Sequence, residues 1–409
     1  MKTKYQIILI TLTCFASLSV KAQHLSLDSV LHRVANNPAL QAYDAKMSAQ
    51  DAYAAGAKSL DAPKISAGQY QTPYRVNPNG GSFMIQAEQM FTNPAKLRAK
   101  EDYMKGLSKV TAADKGYLKN QLVAQAKQYY YERVILERKL ALLGNTRGLL
   151  EYMLKDANIR LTYGKEKLSN IYKAKAELFE LDNTGDQLQN DVSQNNIMLN
   201  TLMNTDKQTA FTVDTIVEIK NYENSVTDTV ALVATRSDIK VVNRSIELQQ
   251  LNTQIEYSKR KPDFGIQAAH MFSYGGMANQ YVLMASVTIP IVPWASKEYK
   301  ANLKGIQYEV QELQQKKLDM LNQAEGQLTG LRTGMNSKTR QINNYRQNII
   351  PALQNSYKTS LQAYDQNAGD LPSVLNAIKD LQMARMAALD RLQELLLLQV
   401  AYEKENEQY

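Results

Sequence analysis

Phe83-Met84-Ile85-Gln86-Ala87-Glu88-Gln89-Met90-Phe91-Thr92-Asn93-Pro94 is the stretch that decides the fold. Phe83, Ile85, Ala87 and Phe91 share one parity, while Gln86 and Glu88 share the other. A period of two predicts a strand with one apolar and one wet face. Gly80-Gly81 precedes it and Asn93-Pro94 ends it. Three more segments follow the same plan. Residues 64–76 lie between Pro63 and Pro78, 263–274 run from Pro262 to Gly275-Gly276, and 281–291 end near Pro293. In the last, Tyr281, Leu283, Ala285, Val287 and Ile289 alternate with Ser286 and Thr288. Each segment is about nine to thirteen residues, the span a tilted strand needs to cross a bilayer. Such alternation is the signature of a membrane barrel. The Asn79-Gly80-Gly81 and Gly275-Gly276 turns join the segments as two hairpins. Two ordinary hairpins on an α+β domain would share the same pattern.

Outward from the strands the chain reads as long helices. Residues 95–143 contain no proline, and Leu97, Met104, Leu107, Leu118, Leu122, Ala126, Tyr129 and Val134 recur at helical spacings. At 1.5 Å per residue such a helix reaches roughly 75 Å. A periodic stretch of that length points to a coiled coil or a helical repeat. Residues 299–348 behave likewise, and so do 371–401, where Leu371, Val374, Ile378, Leu381, Ala388, Leu392 and Leu395 form one stripe.

The chain also repeats itself. Pro63 and Pro262 open the first strand of each hairpin, Pro94 and Pro293 close the second, and both pairs are offset by 199 (262 − 63 and 293 − 94). Leu168, Ile171 and Ala174 match Leu371, Val374 and Ala377 at an offset of 203 (371 − 168). We expect a first repeat over 23–206, a linker over 207–235 and a second repeat over 236–409. Four strands cannot close a barrel, and an open sheet edge finds no partner in lipid. Several copies must therefore join; three would give twelve strands, although two or four copies satisfy the same arithmetic.

The N-terminus carries an address. Lys2 and Lys4 precede an apolar run over 7–20, and Val20-Lys21-Ala22 supplies a cleavage site. This is the order of a secretory signal peptide over 1–22, too short for a spanning helix. Cys14 is the only cysteine and lies in that signal, so the mature chain has no disulfide or thiolate chemistry. Lys2, Lys4 and Lys21 leave with it, so 45 basic residues face 40 acidic ones. The excess is dispersed, without the basic stripe of a nucleic-acid binder.

These residues resemble the TolC-like outer-membrane efflux family, in its heavy-metal and RND-pump-associated branch, over nearly the whole mature chain. Asn37-Pro38-Ala39-Leu40 resembles the family's opening helix, and Glu88 to Pro94 the end of its second strand. Leu199-Asn200-Thr201-Leu202-Met203 with Asp206 resembles the close of its first half; Met203 and Asn204 depart from that pattern. Arg236-Ser237-Asp238-Ile239, Lys261-Pro262-Asp263-Phe264, Tyr345-Arg346 with Ile350-Pro351, and Ala363-Tyr364 with Gly369-Asp370-Leu371 match its later landmarks. The resemblance implies a mainly α chain with a small β part: long antiparallel coiled-coil hairpins and four strands per subunit, in two repeats. It implies a homotrimeric channel-tunnel in the outer membrane, extending into the periplasm. Its implied partners are outer-membrane lipid, a periplasmic adaptor (membrane fusion) protein and an inner-membrane RND-type pump. Export of a protein by a type I secretion system shares that architecture. A secreted coiled-coil structural protein is the alternative of a different class.

Several residues are candidates for function. Gly144-Asn145-Thr146-Arg147-Gly148 reads as the first helical tip, where the resemblance docks the adaptor. The second tip is expected near 343–351, with Tyr345 and Arg346 as gate candidates and Pro351 opening the returning helix. The acidic residues the family often carries there are missing: residues 337–364 contain no Asp or Glu. Pro63, Pro94, Pro262 and Pro293 bound the strands. His270, Met271, Met84 and Met90 are soft-metal ligand types, but methionine more often fills gaps and no pair has metal-site spacing. No phosphate loop, nucleotide fingerprint, His-Glu-x-x-His run or nucleophile elbow occurs. We therefore expect neither enzymatic activity nor a cofactor or metal.

Overall fold

The computed structural model describes residues 23–74, 79–222, 229–290 and 292–407. The expected signal peptide, Val76, Pro78 and Ile291 lie outside them. The chain forms two compact units: residues 1–38, 121–227 and 327–409 make the first, and 39–120 and 228–326 the second. Each draws on both halves of the sequence, so this division cuts across the expected repeats. No helix among the described residues is long and apolar enough to cross a membrane.

The second unit holds the sheet. β2 (Lys64–Tyr70), β3 (Ser82–Phe91), β5 (Asp263–Ser273) and β6 (Gln280–Thr288) form one antiparallel sheet in the order β2-β3-β5-β6. Against the segments expected, β2 stops earlier, at Tyr70, and β6 ends at Thr288. Gln71 ends β2 in the left-handed region (φ 52°). The register sorts the side chains by face. Ile65, Ala87, Ala268 and Leu283 align across the four strands, as do Ala67, Ile85, His270 and Tyr281. The other face aligns Ser66, Gln86, Ala269 and Val282. The apolar face is open: Ile65 is 73% exposed, Leu283 71% and Tyr281 82%. β2 and β6 are both edge strands.

Prolines and short polar residues set the base of the sheet. Pro63 immediately precedes β2 and Pro262 precedes β5. Pro94 opens helix α3 (Pro94–Thr162), and Pro293 opens α7 (Pro293–Asn344). At the first helical position proline's missing N–H costs nothing and its φ suits the helix. Asn93 caps α3 by accepting from the Ala95 N–H at 3.0 Å. Its own N–H donates to Asp263 Oδ1 at 2.8 Å, and Lys96 Nζ pairs with Asp263 Oδ2 at 2.6 Å. At the far end of the sheet Gly275 (φ +70°) lies against the Asn79 backbone, where a Cβ would come within 2.5 Å of Asn79 Cα. The remainder of this unit is helix α2 (Pro38–Gly56), α5 (Thr229–Thr235), α6 (Ser237–Ser258) and the first parts of α3 and α7.

The first unit is helical. Helix α1 (Leu27–Val34) is followed in this unit by the later part of α3 and by α4 (Leu168–Leu202). The last part of α7, a π turn at Tyr345–Ile349, α8 (Ile350–Asp365) and α9 (Leu371–Asn406) complete it. One core cluster joins Leu143, Leu150, Met153 and Ala157 of α3 to Ile171, Ala174 and Leu181 of α4. Tyr364 of α8 and Leu371, Val374, Leu375 and Ile378 of α9 close it. These spacings of three, four and seven are the knobs-and-holes stripe of a helical hairpin. β1 (Gln23–Leu25) pairs in parallel with β4 (Phe211–Val213), within the segment read from sequence as a linker.

Candidate functional site: two helix reversals side by side

The chain does not reverse at 144–148. α3 runs unbroken through Gly144, Asn145, Thr146 and Arg147. Two glycines in a helix cost about 1 kcal/mol each relative to alanine, which the packing around them offsets. Leu143 and Leu150 are buried, and Thr146 turns back to donate to the Leu142 carbonyl at 3.0 Å. Asn145 and Arg147 are exposed on the helix flank, where Arg147 pairs with Glu151 and Asp182, both at 3.3 Å.

The expected second tip is likewise continuous helix. Pro351 has no N–H to offer the Gln347 carbonyl, and its ring crowds that carbonyl. The helix absorbs this as a π turn, in which the Ile350 N–H bonds to the Tyr345 carbonyl five residues back. Tyr345 is half-buried and Arg346 exposed within that turn.

The reversals lie further along. α3 ends in a Schellman motif: Lys165 N–H donates to Arg160 O at 2.9 Å and Gly164 N–H to Leu161 O at 3.0 Å, with Gly164 left-handed (φ +70°). α8 ends the same way. Ala368 N–H donates to Ala363 O at 2.8 Å and Asn367 N–H to Tyr364 O at 3.0 Å, with Asn367 (φ 57°) in glycine's place. Asn204 (φ 53°) plays this part at the end of α4.

The core brings the two reversals together and Arg160 ties them. Its guanidinium pairs with Asp156 (2.6 Å) on its own helix and Asp365 (3.3 Å) on the other, and donates to the Tyr364 carbonyl (3.0 Å). It also lies 4.2 Å over the Tyr364 ring, a cation–π contact. Burial is the largest influence and opposes its charge, but Asp156, Tyr364 and Asp365 together outweigh it and hold the guanidinium above its usual pKa. Tyr364 OH meets Glu166 Oε2 at 3.3 Å. Burial, joined by the Glu166 charge, pushes the phenol far above its ordinary range, so it stays neutral. Asp370 caps α9 through the Ser373 hydroxyl (2.5 Å) and N–H (3.1 Å), and these bonds lower its pKa. The reversals enclose an open polar cleft of about 610 Å³, bordered by Lys165, Lys167, Lys173, Asn170 and Asp370.

A second buried cluster fastens the C-terminal helix. Glu403 accepts from Lys127 (2.6 Å), Lys220 (2.8 Å) and Tyr222 OH (2.8 Å), and Gln399 donates to the Lys220 carbonyl (2.6 Å). Burial opposes the Glu403 charge, yet the three donors outweigh it and keep the carboxyl below its ordinary range.

The sequence held signals for both reversals. Leu168-x-x-Ile171-x-x-Ala174 and its counterpart from Leu371 mark where the returning helices begin, and Gly164 and Gly369 stand just before them. No sequence signal named Arg160 or Glu403. The soft-ligand residues do not converge. Met84 and Met271 pair directly on one face, while His270 points to the other, its ring 4.6 Å from Phe272.

The features together are an exposed four-stranded sheet in one unit and long helices in both, reversing in pairs in the other. The fold is that of the TolC-like outer-membrane channels. The outer-membrane channel OprN superposes with a TM-score of 0.76 at 13% identity, covering 93% of this chain and 89% of that one. The transmembrane channel protein CusC gives 0.75 at 14%, covering 93% and 91%. The outer membrane protein VceC of Vibrio cholerae gives 0.72 at 16%, covering 93% and 95%. No protein-family model and no curated protein matches the sequence.

Proposed function

We propose that this protein is the outer-membrane channel component of a tripartite efflux pump, exporting small molecules or metal ions through a trimeric tunnel. The observation that carries this is the sheet. Its apolar face is open, its other face mixes polar residues such as Ser66, Gln86 and Gln267 with methionines, and both edge strands lack a further partner strand among the described residues. Stable burial in lipid requires closure, and three copies of four strands close a barrel of ordinary size. The two halves of the sequence act as structural repeats, each supplying one hairpin and one long helical pair. The paired reversals at 163–167 and 366–370 take the place first assigned to Gly144, Asn145, Thr146 and Arg147 as the docking point for a periplasmic adaptor, with an inner-membrane RND-type pump supplying the energy. A set of fixed backbone turns, an open polar cleft and exposed lysines suits a protein partner that must engage and release. Tyr345 and Arg346 remain gate candidates within the π turn, as such turns concentrate at functional positions.

The test is extraction from membranes in detergent without heating, light scattering, and reconstitution in a planar bilayer. We expect a trimer with low, gated conductance. A protein recovered from the soluble fraction, monomeric and without conductance, would overturn the channel assignment.

A further inference from the structure

The stretch running from α7 through the π turn into α8 differs in charge from the helices packed beside it. Between Glu325 and Asp365 it has no Asp or Glu, yet it carries Arg332, Lys338, Arg340, Arg346 and Lys358. The neighbouring helices set carboxylates among their cations, although Lys155, Lys173 and Lys175 there also stand exposed without an ion pair among the described residues. On α3, Arg147 pairs with Glu151 and Asp182, and Arg160 pairs with Asp156; Lys379 of α9 pairs with Glu177 of α4. Lys338 also has a carboxylate, that of Glu394. Arg340, Arg346 and Lys358 stand where their own segment supplies none. All three are exposed, and none makes an ion pair among the described residues. The exposed polar side chains between them are amides and a hydroxyl, which add donors without negative charge.

A solvated helix face ordinarily mixes both signs. Here three uncompensated cations share one segment, so its field is positive, and copies of the segment around one aqueous path would reinforce that field. We propose that this segment makes the channel anion-preferring, favouring small carboxylates, sulfonates or phosphates over cations of similar size. The inference rests on the channel function proposed above and deepens it by naming the charge class of the solute.

The full-length channel, reconstituted in planar bilayers under a KCl gradient, gives the chloride-to-potassium permeability ratio from its reversal potential. We expect the wild type to favour chloride by about twofold or more near 0.1 M salt. The preference should fade near 1 M, where the screening length falls to about 3 Å. The Arg340→Gln, Arg346→Gln, Lys358→Gln triple variant should bring the ratio close to one, while Arg147→Gln, on a paired cation of α3, should leave it unchanged. All four changes lie on exposed surface and so preserve the fold. A conducting wild type that prefers potassium, or a conducting triple variant with an unaltered ratio, sinks this inference alone. A wild type with no conductance sinks the channel assignment and this inference with it.

Discussion

Arg160 and Glu403 hold their surroundings by the same means, a charge withdrawn from water and surrounded by several partners. Removing such a charge leaves those partners desolvated, which costs more than the bonds themselves contribute. Arg160→Ala should therefore destabilise the reversals by about 2–3 kcal/mol, read as faster amide exchange over 156–170 and 360–373. Tyr364→Phe, which loses only the Glu166 bond, should cost about 1 kcal/mol. Equal effects for the two would remove the special place given to Arg160. Glu403 predicts a pH dependence. Its folded pKa lies below the ordinary value near 4.5, so its contribution is complete above that value and is lost as pH falls through the folded one. Acidification should loosen residues 217–222 from α9, visible as rising exchange there. Glu403→Gln should cost about 3 kcal/mol at neutral pH and flatten that dependence; a variant with the wild-type profile would show that another group sets it.

At the scale of elements, the sequence spoke clearly where only one structure could satisfy it. The strands were legible because period-two alternation and bounding prolines both exclude helix, and Pro63, Pro94, Pro262 and Pro293 stand at element junctions. The helical tips were not, because glycine has two uses. Gly144 and Gly148 are small residues inside a helix with helical backbone, whereas Gly164 takes a left-handed turn. Composition cannot separate these cases; the core stripe continuing through Leu143, Leu150 and Met153 could have. The distinction is measurable. A Cβ at any of the three meets nothing within 4 Å, so only backbone preference acts. Gly148→Ala should stabilise by about 0.5–1 kcal/mol, and Gly164→Ala should destabilise by about 1 kcal/mol. A chain reversal at 144–148 would invert both signs in thermal unfolding. Pro351 misled for a related reason: it suits the start of a helix, yet a π turn lets it sit inside one.

For the whole molecule, the two faces of the sheet carry opposite expectations. Leu283→Lys places a charge on the apolar face and should cost about 2–4 kcal/mol near the bilayer centre, less toward its rims. Gln86→Lys on the other face should be tolerated. Heat-resistant assembly on lipid vesicles tests both, and equal yields would deny that the apolar face meets lipid. The polar-facing Met84–Met271 pair and the outward His270 explain why the soft-ligand residues, suggestive in sequence, form no common site: adjacent positions on a strand point in opposite directions.

The central seam of the sheet has a further consequence, for the time course of folding. β3 lies between β2 and β5, and its register aligns Ser82 with Ser273, 191 positions away (273 − 82). The β2–β3 hairpin is local, but a two-stranded hairpin in water is only marginally stable. The seam must await the arrival of β5, and closing so long a loop is slow relative to forming the helices on either side. During that interval Phe83, Ile85 and Phe91 face water on unpaired strands, the condition that favours aggregation. A chain of this design therefore gains from being shielded until its second hairpin is in place.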